Sequence, residues 1–478
     1  MAKRTRIDAG IAVVYQNGSH AILRNGVIVL ENDRVVHVGK TYDGPADHVI
    51  DAKHQLVTPG LINTHTHLSE SPLDKSVVED VGKREFSNSG LADMLPARGA
   101  AMDEAARHAS IDYSMVEIVR SGTTTVMEMG GYGRYTADAA DKVGMRAYIA
   151  DGYRSGRWYT NNGKTVQYEW DEQAGKEGMK RAIGLIEELD GRSNGRIQGF
   201  LSPMQIDTCT EELLRESRAA SDDLQVPLAL HTSQSVFEFD EIMRRHALTP
   251  VEWLDKIDFL SPWNVLGHVI IIAGTSWPQV AGDDLSLLAA KGATVAHSAW
   301  VFARRGIVME SFPHYLRAGV NVTLGADSSP QSMIEAMRWA AVLGKATSRQ
   351  TELSTAKDAF DAATVNAAKM LHRDDLGKID NGAKADLLFW DLNSLFMVPV
   401  RDPIKNLVFN ATPSDLRHAM VDGEWIMRDQ VVRGFDEAEV SANLQTAGER
   451  MWANMHKGHW NSLTADELSP PTYPEFTE

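Results

Sequence analysis

The feature that most limits what this chain can fold into is an eightfold alternation in its middle. Short apolar segments at 60–65, 122–128, 145–150, 196–201, 226–231, 264–268, 293–297 and 321–327 are separated by stretches of helical pattern. The stretches near 106–120 and from Thr210 onward are two examples. Strands that alternate with helices read as parallel, because a parallel pair needs a long crossover. Eight such βα units predict a (β/α)₈ barrel, whose chemistry gathers at the C-terminal ends of the strands.

The polar residues fall at those ends. The first segment follows the Pro59-Gly60 turn and closes on His65-Thr66-His67. Residues i and i+2 of a strand share a face, so both imidazoles can meet one metal ion while Thr66 turns away. His231 ends the fifth strand, His268 the sixth and Asp327 the eighth. A single strand-end histidine is commonly just a hydrogen-bonded one. Five residues of ligand type at one end of one barrel point to a metal site. Three imidazoles and a carboxylate leave room for a water on a zinc-like ion, which lowers the water's pKa to about 7. Asp327 is the expected proton acceptor, and His268 the expected donor to a substrate oxygen.

The two ends of the chain have a different texture. Short strands are expected at 10–14, 20–23, 26–30 and 35–38, with turns at Asn17-Gly18 and Asn25-Gly26, and again at 385–391 and 418–427. They predict a small β-sandwich domain made of 1–58 with 373–432, flanking a barrel at 59–372. Residues 433–478 are left as a C-terminal helix and tail, read as a surface helix. Long loops are expected at 69–98, 153–178 and 299–312, where barrel enzymes keep their specificity.

Composition narrows the function classes. The 478 residues carry a net charge of −17, which argues against nucleic acid or an anionic membrane as partner. The single cysteine, Cys209, precludes an intrachain disulfide and suits a reducing compartment. No stretch approaches 18 apolar residues, and the N-terminus lacks a signal-type apolar run. The expectation is a cytoplasmic enzyme acting on a small molecule, without nucleic-acid or membrane partners, and a homo-oligomer.

The chain resembles the amidohydrolase superfamily, in the branch of triazine hydrolases, cytosine-type deaminases and S-adenosylhomocysteine deaminases. The resemblance covers about 20–432. It rests on TPGLINTHTHL at 58–68, GTTTV at 122–126, VPLALHTS at 226–233, VLGHV at 265–269, AGVNVTLGADSS at 318–329 and TVNAAKML at 364–371. GKIDNGAKADLLFWDL at 377–392 and VDGEWIMRD at 421–429 complete it. The resemblance implies that His65, His67, His231 and Asp327 hold one divalent metal, zinc first, with Fe²⁺ or Co²⁺ as alternatives. It assigns His268 to the substrate or the attacking water. No lysine occurs at 196–201 to be carboxylated, which disfavours a second metal.

Two departures bear on substrate. Deaminases of this branch carry His-x-x-Glu on the fifth strand, whereas this chain has His231-Thr232-Ser233-Gln234. Glutamine does not titrate. Adenosine-type deaminases have a histidine where Met204 falls. Gln234, Met204, His268, His297 and Trp300 are therefore expected to contact substrate. The first reading is a metal-dependent hydrolase of a non-peptide C–N bond in an amide, urea or carbamate. The alternative is an aminohydrolase or dechlorinase of an N-heterocycle, and the third a non-catalytic scaffold. Glu128 reads as a structural hydrogen-bonding group. Trp158 and Tyr159 are candidate pocket aromatics, and Arg304 and Arg305 candidate partners for an acidic group.

Overall fold

The computed structural model describes residues 3–77, 82–310 and 312–477. The chain opens with β1 (Arg4–Gln16), β2 (Ser19–Glu31), β3 (Arg34–Gly39) and β4 (His48–Pro59). Then come β5 (Leu61–Thr66), β6 (Thr123–Glu128), β7 (Arg146–Ile149), β8 (Gly156–Tyr159), β9 (Gln167–Trp170) and β10 (Ile197–Gly199). β11 (Leu228–Thr232), β12 (Asn264–His268), β13 (Thr294–His297) and β14 (Asn321–Leu324) follow. β15 (Leu387–Asp391), β16 (Leu416–Val421), β17 (Glu424–Arg428) and β18 (Val431–Val432) end the series.

All eight strands expected in the middle form. They build two parallel four-stranded sheets, ordered β10-β7-β6-β5 and β11-β12-β13-β14. Single parallel bridges, Leu201 to Leu228 and Thr66 to Asp327, link the sheets at both edges. Strands covered on both faces need not alternate, and every residue of β5, β6, β11 and β12 is buried. Ile62, Met127, Tyr148, Ala229, Val265 and Ala296, one from each of six strands, share one cluster. Helix Val365–Met370 adds Ala367, Ala368 and Met370 to it.

The two chain ends pair, as expected, but as one continuous eight-stranded sheet, β18-β17-β16-β15-β4-β1-β2-β3, rather than two bonded layers. β4 makes the seam, parallel to β1 and antiparallel to β15. Alternation then divides the side chains. Leu387 and Phe389 join Ile7, Ile28 and Leu30 in the sheet's own cluster. Leu388 and Trp390 face the main core. The expected turn at Asn25-Gly26 is absent: β2 runs through it in one unbroken register with β1, although Asn25 takes φ 48°. The turn at Asn17-Gly18 is present, both residues at positive φ.

The loops are more ordered than their sequence suggests. Residues 153–178 contain the β8–β9 hairpin and the start of helix Glu172–Leu189. The 69–98 segment carries the short helices Ser71–Asp74 and Arg84–Phe86 and enters helix Met94–Ala101; 78–81 of that expected loop lie outside the described residues. Helix Ala299–Ala303 shortens the third loop, of which residue 311 lies outside the described residues. Helix Glu437–Asn454 forms as expected. It packs Leu444, Ala447 and Met451 against Leu73, Met94 and Ala97, so it backs the 69–98 segment instead of standing free. No helix among the described residues is long and apolar enough to cross a membrane.

Candidate metal centre

Two main-chain hydrogen bonds lock the ends of β5 and β14 together. Asp327 N–H donates to His65 O at 2.8 Å, and His67 N–H donates to Asp327 O at 3.0 Å. The strands approach this closely because Gly325 has no side chain. A Cβ there would stand 3.0 Å from both the main-chain N and O of His65. Gly267 on β12 gives the His65 ring its room, since a Cβ there would lie 2.7 Å from Cε1. Asp327 and His268 take φ 60° and 81°, the left-handed region that most side chains avoid. Such residues store of order 1–3 kcal/mol and cluster at functional sites.

The side chains converge. His67 Nε2 lies 3.7 Å and His65 Nε2 4.0 Å from Asp327 Oδ1, while His268 Nε2 lies 3.7 Å from Oδ2. His67 and His231 face each other Nε2 to Nε2 at 3.1 Å. His231 Nδ1 sits 2.5 Å from the Met204 carbonyl. A carbonyl only accepts, so Nδ1 holds the proton and Nε2 offers its lone pair to the site. Both ring nitrogens of His65 and Nδ1 of His268 are buried with no hydrogen-bond partner among the described residues. Leaving such atoms unsatisfied is costly.

Burial, reinforced by the neighbouring imidazoles, holds His65 and His268 far below their ordinary pKa. Burial brings His231 to about 3. Neutral imidazoles beside a carboxylate are the donor set of a divalent cation. Two groups have ligating atoms within 4.8 Å of one another: His65, His67 and Asp327, and His65, His231 and His268. The structure thus brings together all four expected ligands, and places His268, expected at the substrate, within ligating reach as well.

Glu128 braces this floor. It accepts from Leu68 N–H at 2.8 Å, Thr66 Oγ at 2.9 Å and Gly130 N–H at 3.1 Å, which fixes the backbone on both sides of His67. Burial nevertheless pushes its carboxyl up to about 8, against the pull of those donors.

A cavity of about 600 Å³ opens above the floor. Met204, Gln205 and Gln234 line it together with His67, His231, His268 and Asp327. Gln234 Nε2 donates to Gln205 Oε1. Behind them two carboxyls lie buried. Glu238 accepts from Ser233 N–H. Asp207 accepts from Trp158 Nε1 and Tyr168 Oη, each at 2.7 Å. Burial raises both carboxyls, Asp207 to about 6. Trp158 reaches the cavity, whereas Tyr159 is exposed.

His297 and Trp300, expected at the substrate, do not line the cavity. His297 stacks on Phe312 with ring centroids 5.6 Å apart, and Trp300 packs on Trp339 at 5.1 Å. Helix Ala299–Ala303 turns that aromatic outward and leaves Phe302 facing inward.

Several working groups escaped the sequence reading. The Met204 carbonyl that orients His231 has no sequence signature. Glu238 lies on a helix whose inward face the pattern around His231 does not reveal. The opposite wall, helix Met94–Ala101, is set by contacts distant in sequence. Arg98 bonds Glu70 and Asp74, each at 2.5 Å. Asp93 accepts from His459 Nε2 at 2.9 Å and Trp460 Nε1 at 2.6 Å.

Parallel βα units with a buried cluster of imidazoles and one carboxylate at their strand ends define a hydrolase of the metal-dependent kind. Residues 56–426 match the amidohydrolase family model, and the chain belongs to that family. It is 29% identical over 435 residues to a 5'-deoxyadenosine deaminase of Methanosarcina barkeri, covering 90% of this chain and 94% of the relative. Among solved structures it superposes on an adenosine deaminase from Xanthomonas campestris with bound zinc. The TM-score is 0.81 at 22% identity, over 94% of this chain and 98% of the other. It also superposes on a zinc complex of an atrazine chlorohydrolase from Arthrobacter aurescens TC1. There the TM-score is 0.78 at 19% identity, over 93% and 100%. The protein is a hydrolytic enzyme acting on carbon–nitrogen bonds other than peptide bonds.

Proposed function

We propose that this enzyme hydrolytically removes an amino group from an N-heterocycle, using one divalent ion, zinc first, at the mouth of a closed (β/α)₈ barrel. The single observation that carries the hydrolytic reading is the cluster of His65, His67, His231, His268 and Asp327. A cation held there would satisfy His65 Nε2, which is buried without a hydrogen-bond partner among the described residues and lies 4.0 Å from Asp327 Oδ1. The two edge bridges and the cluster shared by six strands support the closed barrel. The alignment of a deaminase over 90% of this chain supports the deaminase reading.

His65, His67, His231 and Asp327 would hold the ion, with His268 either a fifth ligand or the contact to substrate. Bound there, the ion supplies Lewis acidity and acidifies the attacking water. Asp327 has an oxygen toward His67 and another toward His268. It takes the water's proton and passes it to the departing amine. The His231 ring stays fixed by the Met204 carbonyl throughout. Gln205 and Gln234 hold the ring edge by hydrogen bonds, each amide offering a donor and an acceptor.

Gln234 favours a second reading, hydrolysis of an amide, urea or carbamate, because that reaction needs no titratable group to protonate a ring nitrogen. The two part on product. Metal-loaded enzyme offered aminopurines, aminopyrimidines, aminotriazines, amides, ureas and carbamates is expected to release ammonia from a ring amine. Release of an alkyl or aryl amine alone would favour the second reading. Gln234→Glu is not expected to raise the native rate. A large gain would mean that a titratable group is wanted there.

A further inference from the structure

Five arginines line the cavity of a chain whose net charge is −17, and four have evident circumstances. Arg98 is held by Glu70 and Asp74. Arg107 leans on Glu70 at 3.6 Å. Arg157 is paired with Glu169 on the hairpin. Arg154 is exposed. Arg305 differs from all of them. Its side chain is half-buried and makes no hydrogen bond or ion pair with the described residues, and its Nε is buried without a partner among them. Arg304 beside it is otherwise occupied, donating to Ser329 O at 2.8 Å and Ser328 Oγ at 2.9 Å.

A guanidinium has five donors in a rigid fork and cannot shed its charge. Partly removing it from water without a partner is costly. Asp74 and Asp327 are its nearest acidic influences, but neither reaches ion-pair distance. Asp74 is already held by Arg98, and Asp327 belongs to the metal cluster. Among the described residues the lining thus carries five arginines against Glu70, Asp74 and Asp327, before any cation is added. Its volume of about 600 Å³ falls in the range of small-molecule sites, roughly 300–1,000 Å³.

We propose that Arg305 is an anion-binding subsite, and that the substrate carries an oxyanion substituent which docks on its fork while the scissile bond lies over the metal cluster. Carboxylate and phosphate monoester share the chemistry that a guanidinium fork accepts in bidentate fashion. This rests on the proposed deaminase reading for the reaction, but the subsite is testable by binding alone.

The experiment uses the metal-loaded full chain and matched aminoheterocycles bearing a carboxylate, a phosphate or a neutral ester at one position. In the wild type the anionic members are expected to exceed the neutral one in kcat/KM by about tenfold or more, chiefly through KM. In Arg305→Gln that ratio falls toward one, and Arg305→Lys keeps part of it. Metal content measured alongside shows that the floor is intact. Calorimetry with the anionic heterocycles is expected to show weaker binding in Arg305→Gln, steepest at low salt. A wild type without anionic preference in rate and binding, or a preference that Arg305→Gln retains, overturns the subsite. If no ring amine is released but the anionic ligands still bind through Arg305, the deaminase reading fails and the subsite stands.

Discussion

The floor of the cavity draws its candidate ligands from the ends of β5, β11, β12 and β14, strands joined to their neighbours by main-chain hydrogen bonds. Its walls come from residues between Glu70 and Arg107, the β8–β9 hairpin and the segment from Val301 to Ile307, with residues beyond 433 backing the first of these through side chains. The floor is therefore placed by the sheet itself, and errors there are absorbed poorly. The walls are placed by contacts that can be exchanged one at a time, which is where relatives of one fold diverge in substrate.

The largest effect is expected at His67. His67→Ala removes a proposed ligand, and its effect should exceed the roughly 10- to 100-fold typical of losing a group that merely supports a ligand. Metal content by elemental analysis should fall with activity, while thermal unfolding of the rest of the fold stays cooperative. Full activity in the variant would remove the cluster from the mechanism.

Gly325→Ala asks whether the floor is as unforgiving as its geometry suggests. The added methyl meets main-chain atoms of His65, which cannot rotate away. The expected cost is about 1–3 kcal/mol of stability together with weakened metal binding, read from chemical denaturation and metal titration. A variant unchanged in both would mean that β5 and β14 can separate without cost.

Much of the floor was legible because strand-end ligands obey a simple periodicity. His65 and His67 share a face by their spacing, and the eight apolar segments fix where the others end. The sheet built from the chain ends was legible in content but not in connectivity. Nothing local tells β4 to bond both β1 and β15, or lets β2 run through Asn25-Gly26. The walls were illegible for the same reason. Asp93 and His459 are 366 residues apart, Trp300 reads like a pocket aromatic until a short helix turns it away, and the atom that orients His231 is a backbone carbonyl.

Glu128 ties the stability of the floor to pH. Its carboxyl is raised from the ordinary 4.5 to about 8 in the folded chain, mainly by burial. Between those values the folded state keeps a proton that the unfolded state has released. Its contribution to stability is thus lost as pH rises through that window and levels off above it. Glu128→Gln has no proton to lose, so its unfolding midpoint in urea should vary less between pH 5 and 8 than that of the wild type. Parallel profiles would mean that the three donors around Glu128 hold it ionised.

On the wall, His459→Ala removes one of the buried donors to Asp93 and loosens the segment that carries helix Met94–Ala101. The loss of a buried hydrogen bond costs about 1–3 kcal/mol. The kinetic effect should fall on KM, with metal content unchanged. A fall in kcat with loss of metal would show that wall and floor are one cooperative unit after all.

The smallest effect is expected at Trp300. Its ring lies on Trp339, outside the cavity, and its indole N–H is buried without a partner among the described residues. Trp300→Phe keeps most of the packing and removes an unsatisfied donor, so stability should change by less than about 1 kcal/mol. kcat/KM should stay within about twofold, since no cavity-lining atom is removed. A strong, substrate-dependent change in KM would instead move the wall outward, placing helix Ala299–Ala303 and Arg305 beside it in motion when substrate enters, and the rigid picture of that side of the cavity would have to be abandoned.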